Sequence, residues 1–461
     1  MNNILTQTNN NGNQISKSVK KFFKRFHISS LLRSCNAYKE KGIPVMDIFA
    51  YLFMMIFSFG SMYMNFKTKR NIPSFGKDTI YRFMKQANIN WLKFTSRLSA
   101  TIINSAIKPL NNKCEDVFIF DDSIFERNRS KRVELLAKVY DHAKGVYTFG
   151  FRMLTLSWSD GNTLIPINSI LLSSENSKNR INDAKAMDKR TVGYRRRRLS
   201  STKATLAILD LLEAAKKSGV SAKYVLFDSW FTFPSTLHAI KAKGYEVIGM
   251  IKKTPKMLFK YNNKDMTLSS IYKCNKKRRG KSKYLLSVVV GVVKDGKVIP
   301  AKVVYVRNRS NRKEYLCIIS TDTSLSEEDI IRIYGKRWDI EVFFKFCKSY
   351  LKLSKECRSL SFDAITAHTA IVFVRYMMLS LEKRENEDHR SLGEYYLKIF
   401  DELPNITFEE AMLFVLDVFK ETFLQNDVSC DSEIVKIYNK FVESIRKYLP
   451  VCFRDFQHNF S

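Results

Sequence analysis

The spacing of hydrophobic residues divides the chain into a helical first part and a mixed second part. Through about residues 17–110 the apolar positions recur at helical spacing, which predicts a helical N-terminal domain. Beyond it, short apolar runs bounded by turn residues predict strands, and longer amphipathic segments predict helices. The predicted strands of this part are 117–120, 146–157, 163–172, 224–227 and 246–251, and the predicted helices are 202–217 and 234–243.

The order of these elements predicts an α/β sheet. Three strands come first and suit an antiparallel meander, with a turn at Asp160-Gly161-Asn162 before the third. Strand, helix and strand then alternate, which indicates parallel pairing through right-handed crossovers. Residues 252–325 interrupt this core with further strands and a hairpin turn at 295–296, so we interpret them as a β-rich insertion. The predicted strands of the insertion are 284–293, 297–306 and 315–320.

A polar stripe marks the segment that follows the insertion. Arg337, Glu341 and Lys348 lie three, seven and fourteen residues after Tyr334, which keeps all four within about a sixth of a turn at roughly 100° per residue. Apolar residues occupy much of the remaining circumference, so we expect a largely buried helix. One carboxylate among two cations and a phenol suits a metal ion beside a phosphate.

Two aspartates stand at informative positions relative to that stripe. Asp121 and Asp228 each directly follow an apolar run, at the strand end where α/β sheets gather ligand sites. With Glu341 they form a set of carboxylates suited to Mg²⁺, which prefers oxygen ligands. Taken singly, each aspartate is more simply a turn or helix-cap residue, and Glu341 is more simply one end of a surface ion pair with Arg337 or Lys345. Asp122 stays open as an alternative to Asp121.

The charge balance narrows the class of partner. Lysine and arginine number 78 against 45 acidic residues, and the net charge of +33 favours a polyanion. The eight cysteines form no CxxC pair, so the sequence predicts no zinc site. His142, His238 and His368 do not have the spacing of metal ligands, and we expect them to be structural. Asp47 interrupts an apolar stretch at 45–64, which we interpret as a buried helix and not a membrane span.

Two basic runs are candidates for contacts with a DNA backbone, and each is also compatible with a solvated loop. A short pattern at 75–85, with basic residues between apolar ones, fits either the recognition helix of a helix-turn-helix or an ordinary amphipathic helix. The basic candidates are Arg195, Arg196, Arg197 and Arg198 in a predicted loop, and Lys276, Lys277, Arg278 and Arg279 in the insertion.

The stripe has the spacing Y-x2-R-x3-E-x6-K, and on this signature the chain resembles DDE transposases of the bacterial IS-four insertion-sequence family. Residues 121–123, Asp-Asp-Ser, resemble the D-x-[ST] motif of the first catalytic acid in that family. Residues 228–231, Asp-Ser-Trp-Phe, resemble the D-x-x-[FY] motif of the second, although Trp230 is bulkier than the expected residue. The resemblance covers about residues 115–350.

This resemblance implies cut-and-paste transposition by an RNase H-like catalytic core with two Mg²⁺ or Mn²⁺ ions. Water would free a 3′-OH at the transposon end, a hairpin would form and reopen, and the 3′-OH would join target DNA. Trp338 is expected to pack, with stacking on a flipped base as the alternative. The implied roles are catalysis and metal ligation for Asp121, Asp228 and Glu341, and phosphate contacts for Tyr334, Arg337 and Lys348.

The expected organisation flanks the core with helical domains. It comprises a disordered tail (1–16), a helical DNA-binding domain (17–112), the catalytic domain (113–375, with the insertion at 252–325) and a C-terminal helical domain (376–461). The expected partners are the terminal inverted repeats and target DNA, bound as duplex by a homodimer in the bacterial cytoplasm, with no membrane. The alternatives are a metal-dependent RNase H-like nuclease without strand transfer and a domesticated, non-catalytic DNA-binding protein.

Overall fold

Helices make up the N-terminal part of the chain, as the apolar spacing predicts. The computed structural model describes residues 12–57, 62–68, 73–110, 115–142, 144–280, 282–308, 311, 314–388, 390–396 and 436. The first α-helices are α1 (Gly12–Arg25), α2 (Ile28–Ser34), α3 (Val45–Met54), α4 (Met62–Thr68), α5 (Lys77–Met84) and α6 (Trp91–Ile102). The predicted buried helix corresponds to α3, in which Ile48, Phe49 and Phe53 are buried.

The start of α1 differs from the prediction of a disordered tail over residues 1–16. The helix begins at Gly12. This start was not predicted, because the first turn is polar and shows no hydrophobic periodicity. Residues 1–11 lie outside the described residues, as does most of the C-terminal domain predicted for 376–461. The chain forms two compact units, Met1–Lys21 with Gly393–Ser461, and Phe22–Leu392. All residues discussed below belong to the second unit.

A large mixed sheet forms the centre of the second unit. Its eleven described strands have the order β2-β3-β1-β5-β6-β11-β10-β9-β7-β8, and β4 pairs with β3. The strands are β1 (Val117–Glu126), β2 (Ala137–Asp141), β3 (Val146–Ser159), β4 (Leu164–Leu172), β5 (Tyr224–Phe227), β6 (Glu246–Ile251), β7 (Phe259–Tyr261), β8 (Lys264–Met266), β9 (Tyr284–Lys294), β10 (Lys297–Arg307) and β11 (Tyr315–Ser320).

The pairing confirms the predicted topology. Strand β3 lies antiparallel to both β1 and β4, which is the predicted meander. Strands β1, β5 and β6 are parallel neighbours, as the alternating strands and helices require. The remaining helices are α7 (Val192–Ser200), α8 (Ala204–Lys217), α9 (Pro234–Ala242), α10 (Leu268–Cys274), α11 (Glu327–Gly335), α12 (Trp338–Ser349) and α13 (Phe362–Glu385).

The insertion extends the central sheet. Its last strand, β11, pairs antiparallel with β6, and β10 and β9 follow in the same sheet. Asp295 and Gly296 have φ angles of 49° and 73°, the left-handed pair that joins the predicted hairpin. The sequence did not predict β7, β8 or α10, which are too short to show a period.

One described helix, α13, is long and apolar enough to cross a membrane, and 94% of its apolar window is buried inside the protein. It packs against α6 and β4. The buried Arg375 of α13 donates to the backbone carbonyl of Phe53 (3.0 Å) and to the carboxylate of Glu356 (2.7 Å). The helix therefore joins the N-terminal helices to the sheet.

Candidate active site

The two predicted aspartates lie at the end of the pairing between β1 and β5. Strand β1 pairs with β5 only as far as Ile119, and then continues to Glu126 alongside β3. Asp121 therefore lies inside a strand, where the sequence predicted it just after one. Asp228 directly follows β5. Asp121 therefore lies beyond the point where β1 is paired with its parallel neighbour β5.

Two internal hydrogen bonds and the close approach of Gly249 fix the loop after Asp228. The Asp228 carboxylate accepts a hydrogen bond from the backbone N–H of Trp230 (2.9 Å), and its backbone carbonyl accepts one from the Thr232 hydroxyl (2.7 Å). Gly249, on the adjacent strand β6, leaves room for Thr232, since a Cβ at this position would lie 2.5 Å from the hydroxyl oxygen. A short hydrogen-bonded turn thus fixes the direction of the carboxylate.

The striped helix is in fact two helices. The backbone N–H groups of Lys336 and Arg337 donate to the carbonyls of Ile333 and Tyr334, three residues back, so the chain tightens between α11 and α12. Lys336 donates to the backbone carbonyls of Glu115 (2.7 Å) and Asp160 (3.1 Å). These contacts anchor the junction to the start of β1 and the β3–β4 turn, positions distant in sequence that the spacing alone did not predict.

Arg337 bridges two of the three predicted acids. Its guanidinium donates to Asp121 Oδ2 (3.2 Å) and to Glu341 Oε1 (2.5 Å). It also lies 5.9 Å from the ring centroid of Tyr334, whose buried hydroxyl makes no hydrogen bond of normal geometry. Burial raises the pKa of Tyr334 to about 12. The stripe therefore faces Asp121 as expected, with Arg337 between the carboxylates.

The negative charge of Asp228 disfavours ionisation of Asp121. Burial, followed by the negative charge of Asp228, raises the pKa of Asp121 to about 7, and Arg337 opposes this shift. Burial also raises the pKa of Asp228, with a further contribution from Asp122 and an opposing one from Lys252. Two partly buried carboxylates whose charges interact favour either a bound proton or a nearby cation.

Asp122 has a different partner from Asp121. Its carboxylate is held by both Arg152 Nε (2.7 Å) and Arg152 Nη2 (2.9 Å). Arg152 is not among the residues predicted from the sequence, although a lone arginine within an apolar strand was a usable signal. Lys252 was also missed, and its position directly after β6 was the signal, because ligand sites gather at strand ends.

Lys348 and Arg337 interact with different acidic residues. Burial lowers the pKa of Lys348, and the negative charges of Glu126 and Asp141 oppose this shift. Glu126 and Asp141 end β1 and β2, whereas Arg337 binds Asp121 and Glu341.

The described residues contain no group of three histidine, cysteine, aspartate or glutamate side chains placed to hold a metal ion. Glu341 is instead paired with Arg337. The donor chemistry nevertheless fits a divalent cation, since Asp121 and Asp228 offer only oxygen ligands and a cation relieves the repulsion between them.

The first basic run lies on a helix, where the sequence predicted a loop. Helical periodicity turns Arg195 and Arg198 outward and the two residues between them inward. Arg197 is buried and binds Glu134 (2.6 and 2.9 Å) and Asp363 (2.8 and 3.1 Å). Arg196 pairs with the same Asp363. The predicted DNA contact is therefore wrong for Arg196 and Arg197, while for Arg195 and Arg198 it stays a prediction.

The second basic run is exposed and stays a predicted DNA contact. Lys277 and Arg278 lie over the rings of Tyr272 and Tyr284, at 4.8 and 4.5 Å from the centroids. Lys276 and Arg279 project into solvent.

Trp338 is 62% exposed at the start of α12, so the expectation that it packs is wrong.

Comparison with known proteins identifies a family for much of this region. The model of the DDE superfamily endonucleases matches residues 67–306, slightly more than half of the chain. That segment contains Asp121 and Asp228 but ends before the striped helices. No curated protein matches. Among solved structures, the chain is similar to a piggyBac transposase, seen in a cryo-EM structure of its synaptic complex with hairpin DNA, at 12% identity and a TM-score of 0.45, over 92% of this chain and 84% of that one.

Proposed function

This chain belongs to the DDE superfamily endonucleases, and we propose that it is a transposase that moves an insertion sequence by cut-and-paste. The observation that carries the proposal is the meeting of Asp121 and Asp228 beneath Arg337 and Glu341. The first two lie in the family-matched segment, and the second two belong to the Y-x2-R-x3-E-x6-K signature. We infer an RNase H-like core around them, with the insertion as an extension of its sheet.

Asp121, Asp228 and Glu341 are the proposed ligands of two Mg²⁺ or Mn²⁺ ions. Such ions, when bound, activate the attacking oxygen and stabilise the leaving oxygen of a phosphodiester. One member of this ligand set is already directed, because the turn to Trp230 fixes the Asp228 carboxylate. Glu341 joins it only after leaving Arg337, which makes Arg337 the cation that holds the site together before DNA binds.

Arg337 and Tyr334 are the proposed holders of the scissile phosphate. A phosphate oxygen can replace Glu341 as the acceptor of the guanidinium, and a charged donor of this kind forms strong hydrogen bonds to phosphate. The Tyr334 hydroxyl has no partner of its own and can donate to the same group. Lys252 and Arg152 add positive charge near the aspartates and so reduce the repulsion that approaching DNA meets.

The proposed partners are the terminal inverted repeats of the element and its target DNA. The net charge of +33 supplies the attraction to both duplexes. We further propose that two copies of the chain bring the two ends together in the bacterial cytoplasm, and that a hairpin forms on each end before joining. Lys348, Arg195, Arg198 and the exposed residues of the insertion are the candidates for flanking phosphate contacts.

The test uses the DNA that flanks the coding region. A fragment that carries both flanks is incubated with the full-length protein, a target plasmid and Mg²⁺, and the products are resolved by gel electrophoresis. We expect excision and joined products from the natural protein, and no cleavage but retained DNA binding from Glu341→Gln. Glu328→Gln, an exposed glutamate on α11, is the matched control and keeps its activity.

Two results contradict the proposal in different ways. Cleaved ends that never join a target identify a nuclease without strand transfer. Undiminished cleavage by Glu341→Gln shows that the metal-site assignment is wrong, whatever the products.

A further inference from the structure

An exposed row of aromatic rings runs from the candidate active site along the β2–β3 hairpin. Trp230, His142, Tyr140 and Tyr147 form this aromatic row, with successive ring centroids 4.4, 4.8 and 5.0 Å apart. Tyr140 and Tyr147 are cross-strand partners in the register of β2 and β3. The rings of the row therefore form one continuous line, although they come from two separate parts of the chain.

The row is open to solvent. Trp230 is 44% exposed, Tyr140 38% and Tyr147 65%. A cross-strand tyrosine pair stabilises a hairpin, which accounts for the contact between Tyr140 and Tyr147. It does not account for Trp230, which belongs to the loop after β5 and meets the ring of His142. Stability of the hairpin alone thus leaves the exposed indole unexplained.

One end of the row is joined to the proposed catalytic carboxylates. The backbone N–H of Trp230 donates to the Asp228 carboxylate at 2.9 Å. A base stacked on this indole therefore belongs to a nucleotide close to the proposed catalytic carboxylate of Asp228. The other end, at Tyr147, leads away from the site along the hairpin.

Lysines accompany the rings. Lys252 Nζ lies 3.3 Å from the centroid of Trp230, and Lys138 Nζ lies 4.7 Å from that of Tyr147. Lys138 shares the outward face of β2 with Tyr140, two residues away. Rings that stack on bases, with ammonium groups beside them for the backbone, are the combination by which proteins bind single-stranded nucleic acid.

We propose that the aromatic row binds the unpaired bases of a DNA strand leaving the active site. Bases in a duplex have their faces covered by their neighbours, whereas unpaired bases present a free face to each ring. The inference rests on the proposed function for its choice of DNA, and it assigns to the β2–β3 hairpin the strand that separates during cutting or hairpin formation. No sequence preference follows, because every base has a face that stacks.

The test compares single-stranded and duplex DNA without metal. Fluorescein-labelled oligo(dT) of about twelve nucleotides, a length within the usual site size, and a duplex of equal length are titrated by anisotropy with EDTA present. We expect Tyr140→Ala/Tyr147→Ala to weaken binding of oligo(dT) about tenfold or more, and binding of the duplex less than about twofold. Tyr140→Phe/Tyr147→Phe keeps both rings and the natural affinities, and Tyr38→Ala, an exposed tyrosine elsewhere, changes neither.

Tryptophan fluorescence gives a second measurement that needs no alanine variant. Trp91 and Trp158 are fully buried, so Trp338→Phe leaves Trp230 as the exposed indole. We expect oligo(dT) to quench the emission of this variant, since a stacked base contacts the indole directly. Two results would overturn the proposal. One is that Tyr140→Ala/Tyr147→Ala loses affinity for oligo(dT) and for the duplex equally. The other is that saturating oligo(dT) leaves the emission of Trp338→Phe unquenched.

The outcome is separable from that of the transposition test. Binding in EDTA needs no catalysis, so a protein that cuts and joins DNA without preferring oligo(dT) refutes the role of the row alone. A protein that shows the preference but neither cuts nor joins DNA refutes the proposed function and leaves the row as a site for single-stranded DNA.

Discussion

The ring of Phe120 stacks on the ring of Phe227, with their centroids 5.5 Å apart and their planes inclined by 14°. Each phenylalanine directly precedes one of the two aspartates, so packing of the rings holds Asp121 and Asp228 at adjacent strand positions. A stacked aromatic pair contributes about 0.5–1.5 kcal/mol beyond the area it buries. This apolar contact stabilises an arrangement that the two carboxylates oppose by repulsion.

Gly249→Ala should disturb the site without touching a proposed ligand. The new methyl group would lie 2.5 Å from the Thr232 hydroxyl oxygen, so Thr232 must move, and the turn that directs Asp228 moves with it. We expect DNA cleavage to fall by about tenfold or more, since small misplacements of catalytic groups cost rate steeply. Gly76→Ala, where a Cβ meets nothing within 4 Å, is the matched control.

A double-mutant cycle identifies the cause of that loss. Thr232→Ala removes the two atoms that lie nearest to the new methyl group, the hydroxyl oxygen and Cγ2. In its background, Gly249→Ala should therefore lower cleavage much less than it does alone. Equal losses in the two backgrounds would show that Gly249 acts through some other contact.

The raised pKa of Asp121 predicts a characteristic dependence of stability on pH. Its pKa is about 7 in the folded protein against an ordinary 3.8, so between these values the folded state binds a proton that the unfolded state has lost. The free energy of unfolding therefore falls as pH rises through this range. At about 1.4 kcal/mol per pKa unit, Asp121 accounts for a loss of roughly 2–3 kcal/mol between about pH 5 and pH 7.

Asp121→Asn should remove this part of the pH dependence. Urea unfolding of both proteins with EDTA, at several values between about pH 5 and pH 8, measures the difference directly. The variant should gain stability relative to the natural protein as the pH rises, and should be the more stable of the two above about pH 7. Parallel curves for the two proteins would contradict the shift.

Arg197 should be needed for folding, and its neighbour Arg198 should not. Arg197→Met leaves Glu134 and Asp363 buried without the cation they share, and breaking a buried pair in this way costs about 3–5 kcal/mol. Arg198→Ala is the matched control, because its side chain is exposed, and should change stability by less than about 0.5 kcal/mol. Thermal unfolding of the two variants distinguishes them, and similar melting temperatures would refute the structural role.

The topology of the sheet was predictable because it depends on local patterns. Apolar runs bounded by turns located the strands that carry the site, and the alternation of strand and helix gave their parallel pairing. The position of Asp121 inside β1 was not predictable. Strand β1 separates from β5 after Ile119 but stays paired with β3 to Glu126, and in the sequence this change looks like the end of the strand.

Long-range pairing explains most of what the sequence did not predict at the site. Arg196 and Arg197 look like a solvent-exposed run, and partners distant in sequence make them structural. Asp363, more than 160 residues away, binds both, and Glu134 also binds Arg197. The spacing of the stripe alone predicted that Arg337 faces Asp121. That it spans Asp121 and Glu341 depends on the junction at Lys336, which Glu115 and Asp160 hold in place.

The two adjacent aspartates should differ sharply in their importance for cleavage. Asp121 meets Arg337 and shares its space with Asp228, whereas Asp122 is held by two nitrogens of Arg152. We expect Asp121→Asn to lower cleavage by about a thousandfold or more, because removing a member of a catalytic unit abolishes most of its effect. Asp122→Asn should lower cleavage by less than about tenfold, since the amide oxygen still accepts from Arg152. Single-turnover cleavage of end DNA with Mg²⁺ measures both, and a greater loss from Asp122→Asn would make Asp122 the metal ligand.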